Sequence, residues 1–313
     1  MTGVSMGPFR SLTFDGAPAP VPPADLDARL PRPNSLRRAG EGSKVAVLVA
    51  SEVLRAAGVE VGARTGVYVG QQQVALDYCA EFIDSSYRNG PRLASPMLFS
   101  ESVANNAATH LSLTLKVTGV VQTFIGSRAT GIQALQAAAE DLSAGVIDSG
   151  LAVVLSFSNA LTSDAFNSLF RPYARARRPE AIRFRNGGVA LLLRRAERTG
   201  PAPPRIAYAG VRVAGPDVES QSCALRGLWG DYRARHPRPA SLAASAFCLA
   251  RRQGQEVLRR ALGDEAPRLD ERPGEAFALD PVLQLLDGEK VAGRAVICLG
   301  EEGSTGLIAL ETR

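Results

Sequence analysis

Between Thr118 and Asp141 the chain reads TGVVQTFIGSRATGIQALQAAAED, and this stretch demands an abrupt change of geometry. Val120, Val121, Thr123 and Phe124 are β-branched or aromatic, the pattern of a buried strand. Ile125, Gly126, Ser127 and Arg128 form a tight turn, and Ala129, Ile132, Leu135, Ala138, Ala139 and Leu142 recur at helical spacing directly behind it. A strand that turns at once into a helix aims the turn residues into a cleft beside the helix N-terminus, where backbone N–H groups favour negative charge. Nucleophiles are often placed at such an elbow. Here it offers Ser127 and Arg128 and no cysteine.

The remaining composition removes several classes of chemistry. The chain has only two histidines, His110 and His236, although histidine serves most general acid–base and metal sites. Cys79, Cys223, Cys248 and Cys298 are widely spaced with no CxxC pair, so they read as reduced thiols rather than as a disulfide framework or zinc site. No metal and no cofactor is expected. The net charge of +5 comes almost entirely from arginine, and no zinc-finger or RNA-binding motif accompanies it, so nucleic acid is not an expected partner. No apolar run approaches the roughly 20 residues that cross a bilayer. No basic region precedes an apolar core at the N-terminus, so no membrane association and a cytoplasmic location are expected.

Taken in order, LTFDG reads as a short strand and the proline-rich segment behind it as a connector. A helix rich in valine ends near Gly58, and TGVYV (65–69) is a strand followed by a helix through Val74–Ile83. One helix is expected from Phe99 to Leu115, capped by Ser100 or Ser102, with Asn105 and Asn106 placed oddly inside it. Strands follow the elbow at 151–156, 187–195 and 206–215, separated by a polar, arginine-rich loop over 158–186. A helix is expected over 242–263, a short one at PVLQLLDG, and closing strands at 295–300 and 306–311. Repeated βα units argue for an α/β protein on mostly parallel sheets. TGPAPPR (199–205) is the internal boundary, giving an N-terminal half over 1–198 and a reduced C-terminal half over 199–313 within one domain, 1–313.

Common catalytic motifs are missing. No GxGxxG and no GxxxxGK[ST] occurs. GEEGSTG (300–306) carries two carboxylates that would repel phosphate. IGSRATG around Ser127 is not the GxSxG elbow of hydrolases, and a serine nucleophile also needs a base.

The run from Arg64 to Leu193 resembles the N-terminal half of β-ketoacyl synthases of the thiolase-like fold. The matching pieces are RTGVYVG, GPRLASPMLFSESVANNAATHLSLTLKVTG, the elbow, AGVIDSGLAVVLS and FRNGGVALLLRR. Residues 37–59 look like the family's first long helix, and AVICLGEEGSTGLIALE is similar to its glycine-rich loop and closing strand. The resemblance implies a layered α-β-α-β-α fold of two pseudo-repeated halves, with the C-terminal half shortened.

The departures from the family set the functional expectation. Ketosynthases carry their nucleophilic cysteine nine residues after the glycine that precedes the elbow strand, and nine from Gly119 is Arg128. The histidine-bearing HGT and GH motifs of the second half are also missing. This pattern resembles the chain length factors, catalytically silent partners of active ketosynthases in type II polyketide systems. The resemblance implies a heterodimer with an active ketosynthase through Val120, Val121, Gln122, Thr123 and Phe124. It implies that Phe99, Ser102, Val103 and Asn106 border the acyl tunnel and that an acyl carrier protein is a further partner. Arg171, Arg175, Arg177 and Arg178 are the candidate carrier-docking patch. Arg128 is expected to make a salt bridge or fill the vestigial pocket, and it differs from the glutamine that some members use for malonyl decarboxylation. Two alternatives stay open: an acyltransferase using Ser127 or a cysteine brought in by folding, and a scaffold that only docks a carrier protein.

Overall fold

The computed structural model describes residues 4–15, 24–31, 33–170, 184–196, 203–247, 250–269, 275–287 and 293–311. In chain order its elements are β1 (Val4–Asp15), α1 (Leu26–Arg29), α2 (Glu41–Ala57), β2 (Thr65–Gln72), α3 (Leu76–Asn89), α4 (Pro96–Ser102), α5 (Asn106–Leu115), β3 (Val121–Ile125), α6 (Thr130–Ala144), β4 (Ser149–Ser156), α7 (Ala160–Phe170) and β5 (Arg185–Arg195). The second half continues with β6 (Arg205–Val213), α8 (Val218–Arg233), β7 (Ser241–Ala246), α9 (Arg251–Leu262), α10 (Leu279–Leu286), β8 (Arg294–Leu299) and β9 (Ser304–Glu311).

The strands lie in the order β3-β2-β4-β5-β1-β6-β9-β8-β7. Read outward from the middle, β1-β5-β4-β2 and β6-β9-β8-β7 repeat one scheme: antiparallel, antiparallel, parallel. The first half then adds β3, parallel to β2, which no described strand of the second half matches. The halves meet along β1 and β6 at the single register pair Ser5–Arg205. Parallel pairing is therefore confined to the outer parts of each half, and the expectation of mostly parallel sheets is corrected. Alternation of strands and helices in sequence does not fix strand direction, and the turn between β8 and β9 is too short for a parallel crossover.

Side-chain parity on the strands sets the layers. Ala152, Val154, Val189, Leu191 and Leu193 face one way and pack against Ile132, Leu135 and Ala138 of α6. Leu151, Val153, Leu155, Ala190 and Leu192 face the other way, under α2 and α5. In the second half, Val296, Cys298, Ile308 and Leu310 join the α6 core together with Leu279, Val282 and Leu285 of α10. Their alternates Ala295, Ile297, Leu307 and Ala309 pack under α8 and α9. The result is the five-layer α-β-α-β-α arrangement, with α6 and α10 in the central layer. Among the described residues no helix is long and apolar enough to cross a membrane.

Several local expectations are corrected. The single helix over Phe99–Leu115 is two, α4 and α5, broken at Val103–Asn105, with Asn105 at the N-cap position of α5. The cap of α4 is Ser95, which accepts from Leu98 N, rather than Ser100 or Ser102. The polar 158–186 segment contains α7, and β1 and β2 run longer than expected. The helix expected over 242–263 opens as strand β7, and α8 lies where no element was expected. The elbow strand β3 is the edge of the sheet rather than a buried strand, with Val121 and Ile125 exposed.

Candidate functional site

The elbow is built by β3, Gly126 and α6. Gly126 takes φ +98°, a left-handed conformation that suits glycine. At Gly70 on β2 a Cβ would lie 2.4 Å from Thr130 O, so only glycine lets the strand come this close to the start of α6. Within the turn, Ser127 Oγ accepts from Ala129 N at 3.1 Å, and Thr130 Oγ1 donates to Ser127 O at 2.9 Å. Ser127 therefore acts as a local backbone cap. Neither histidine bonds to it: His110 Nε2 lies 2.8 Å from Glu101 Oε1, and His236 stacks on Tyr232.

Arg128 turns inward and has no solvent exposure. Its Nη1 donates to Glu275 Oε1 at 2.5 Å and its Nη2 to Asp280 Oδ2 at 2.8 Å. Nε and Nη2 both donate to Ser245 Oγ, at 3.2 and 3.1 Å. The backbone N–H of Arg128 donates to Glu302 Oε1 at 3.2 Å. These hydrogen-bond partners all come from the second half: the side chain reaches β7, α10 and the segment leading into it, and the backbone N–H reaches the β8–β9 turn. A charge taken wholly out of water is tolerated only with such pairing.

The electrostatics follow from one cation facing two carboxylates. Burial opposes the Arg128 charge, but Glu275 and Asp280 outweigh it and hold the guanidinium well above its ordinary value. Glu275 is pushed the other way for an acid: desolvation and the Asp280 charge raise its carboxyl to about 7, against the pull of Arg128. Glu275 Oε1 also accepts from Phe277 N at 2.8 Å, where Phe277 adopts φ +43°. A non-glycine residue in that region is strained and persists because its surroundings hold it.

Phe277 is also one of four packed aromatic rings. Its ring lies 5.4 Å from Phe166 and 5.7 Å from Phe184, and Phe166 lies 5.0 Å from Phe247. These rings fill the space beside the Glu275 segment. Among the cysteines, Cys223 is exposed on α8 and Cys248 lies outside the described residues. Cys298 is buried, which pushes its thiol well above its ordinary value, and Cys79 donates to Ser102 O.

The four residues expected to border a tunnel differ in burial. Phe99 is exposed and packs on Phe82 with ring centres 5.5 Å apart. Ser102 and Val103 are half-buried at the break between α4 and α5. Asn106 is buried; its Nδ2 donates to Glu101 O at 2.7 Å and its Oδ1 has no partner among the described residues. Val120–Phe124 do lie on or beside β3, whose outer backbone edge meets no described strand. Arg171, Arg175, Arg177 and Arg178 lie outside the described residues. Glu275, Asp280, Ser245 and Glu302 were missed from the sequence. The only hints were acidic pairs in segments read as loops, GEAFALD and GEEGSTG.

The layers and repeated half-sheets are those of the thiolase-like class. Residues 23–179, just over half of the chain, match the family model described as β-ketoacyl synthase, N-terminal domain, and the chain belongs to the β-ketoacyl synthase family. Its fold is similar to that of the ishigamide ketosynthase/chain length factor, with a TM-score of 0.71 and 20% identity over 93% of this chain and 86% of that one. It is similar to AntDE:AntF, a type II PKS acyl-carrier protein in complex with its ketosynthase, at 0.69 and 15% over 87% and 85%. A β-ketoacyl synthase from Burkholderia phymatum STM815 aligns at 0.70 and 14% over the full length of both chains. No curated protein matches in sequence.

Proposed function

We propose that this chain is a non-catalytic ketosynthase-like subunit, a chain length factor. In this reading it pairs with an active ketosynthase and shapes that partner's acyl tunnel in type II polyketide synthesis. The observation that carries the reading is the state of Arg128. The side chain at the nucleophile's position is a cation with no exposure, neutralised by Glu275 and Asp280. It has no electron pair to attack a thioester, and its pocket is filled by its own counterions.

Two surfaces support the pairing. Strand β3 offers an unpaired edge with Val121 and Ile125 exposed, a feature that isolated proteins normally avoid. Helix α3 fully buries no residue, and α3 and α4 leave Ile83, Tyr87, Met97 and Phe99 exposed. The partner supplies the cysteine and histidines. This chain supplies the second wall, with Phe99, Ser102 and Val103 on it and Asn106 holding the α4–α5 break through its bond to Glu101 O.

Co-expression with candidate ketosynthases tests the reading. A stoichiometric complex by size exclusion and light scattering is expected, together with product synthesis that needs both chains. Phe99→Ala and Val103→Ala are expected to lengthen the products. A chain that stays a stable monomer beside every candidate overturns the reading. So does acylation of the isolated chain at Ser127, which intact mass would detect and which would favour the acyltransferase alternative.

A further inference from the structure

Three charged side chains are buried among the described residues. Arg128 and Glu275 belong to the elbow network, and the third, Glu101, stands apart on α4. Its carboxylate is held at both oxygens by two different helices. The backbone N–H of Gly40, at the N-cap of α2, donates to Oε2 at 3.2 Å, and His110 Nε2 of α5 lies 2.8 Å from Oε1. The main chain of the same residue is held as well, because Asn106 Nδ2 donates to Glu101 O.

A buried carboxylate is tolerated only while its hydrogen-bond partners stay in place. Helix α4 depends on such an anchor. It has seven residues, too few for a helix to persist on its own, and besides Glu101 it buries only Leu98. Met97 and Phe99 stay exposed. Phe99 and Ser102 are three residues apart and so lie on one side of the helix, while Glu101 turns to the other side, toward α2 and α5. The bonds made behind α4 therefore set where Phe99 and Ser102 stand in front of it.

We propose that Glu101 and His110 form a latch that fixes the pose of α4, and that as positioning residues they set product length without touching the growing chain. The role in product length rests on the reading of this chain as the tunnel's second wall; the latch is a property of the chain alone. It works by geometry, so an uncharged side chain that makes the same bonds serves equally well.

Glu101→Ala, His110→Ala, the double variant and Glu101→Gln test it, both in the isolated chain and co-expressed with the ketosynthase. In the isolated chain, amide hydrogen exchange over residues 98–103 is expected to quicken about tenfold or more in each alanine variant, as a buried hydrogen bond is lost. The double variant should match Glu101→Ala, since His110 then has nothing left to hold. Glu101→Gln should restore slow exchange, because its oxygen accepts from Gly40 N and its amide donates to the other tautomer of His110. In the complex, the alanine variants should give longer products and Glu101→Gln the parent length. His110 is partly exposed, so His110→Ala is the folded test if Glu101→Ala misfolds. Unchanged exchange in the alanine variants overturns the latch, and so does a Glu101→Gln chain that exchanges like Glu101→Ala. Parent product length in alanine variants that still pair with the ketosynthase overturns the role in product length and leaves the pairing standing. A parent chain that pairs with no ketosynthase overturns the wall reading instead, and the exchange measurements still decide the latch.

Discussion

Ile125 and Arg128 are three residues apart, yet each reverses the usual placement of its kind. On β3 the apolar Val121 and Ile125 face outward, while the guanidinium of Arg128 is withdrawn completely into the protein. Outward apolar groups are stable when another surface covers them, and an inward charge is stable when fixed counterions surround it. The second edge of the sheet sharpens the contrast. Strand β7 is made of small residues and serines with a single leucine, and no large hydrophobic of β7 is exposed. The same topological position is thus adhesive at one end of the sheet and bland at the other. The difference favours the β3 end as the face for the proposed partner.

The largest effect should come from the inward side. Arg128→Ala leaves Glu275 and Asp280 facing each other without a cation, and it should cost about 3–5 kcal/mol in urea unfolding. Adding Glu275→Gln to Arg128→Met should recover most of that loss. If the single variant is as stable as the parent, the network does not hold the halves together.

The same network gives a pH dependence. The folded-state carboxyl of Glu275 is raised from 4.5 to about 7, so the folded chain binds this proton more tightly than the unfolded chain. The stability it contributes is fully present below 4.5 and is lost as pH rises through about 7. Unfolding followed across that window should show a decline, and Glu275→Gln should flatten it.

On the outward side, the double variant Val121→Asp, Ile125→Asp should weaken ketosynthase co-purification at least about tenfold, with stability of the isolated chain moving by about 0.5 kcal/mol or less. A larger loss of stability would mean that β3 serves its own fold more than a partner. The smallest effect concerns the break between α4 and α5. Asn106→Ala removes a donor to Glu101 O and should cost about 1 kcal/mol by thermal unfolding.

Legibility from sequence followed the strength of local pattern. The valine-rich helix α2 was legible because apolar periodicity and the Gly58 stop agree, and Gly58 is left-handed in the structure. The turn from strand to helix at the elbow was legible for a similar reason, because a β-branched run gives way at once to helical apolar spacing. Helix α8 was hidden because it buries Gln221 and Ser222 and carries Gly227 and Gly230. Strand β7 was hidden because LAASA has poor strand propensity and runs on toward the α9 pattern. The counterions of Arg128 were out of reach for a different reason. Glu275 lies 147 positions away in the chain and Asp280 152, and no local rule pairs residues so distant.

The seam between the half-sheets carries a consequence for how the chain is made. The half-sheets are joined directly by the Ser5–Arg205 pair and by Met6 N donating to Pro204 O, while α6 buries itself against both. Residues 4–195 hold every strand of the first half and emerge first from the ribosome, so α6 can dock on β2 and β4 before its other face has anything to meet. Until β6 to β9 arrive, that face is open and the Arg128 charge is still in water. Completion of the second half closes both together, which makes burial of one arginine a late step of biogenesis.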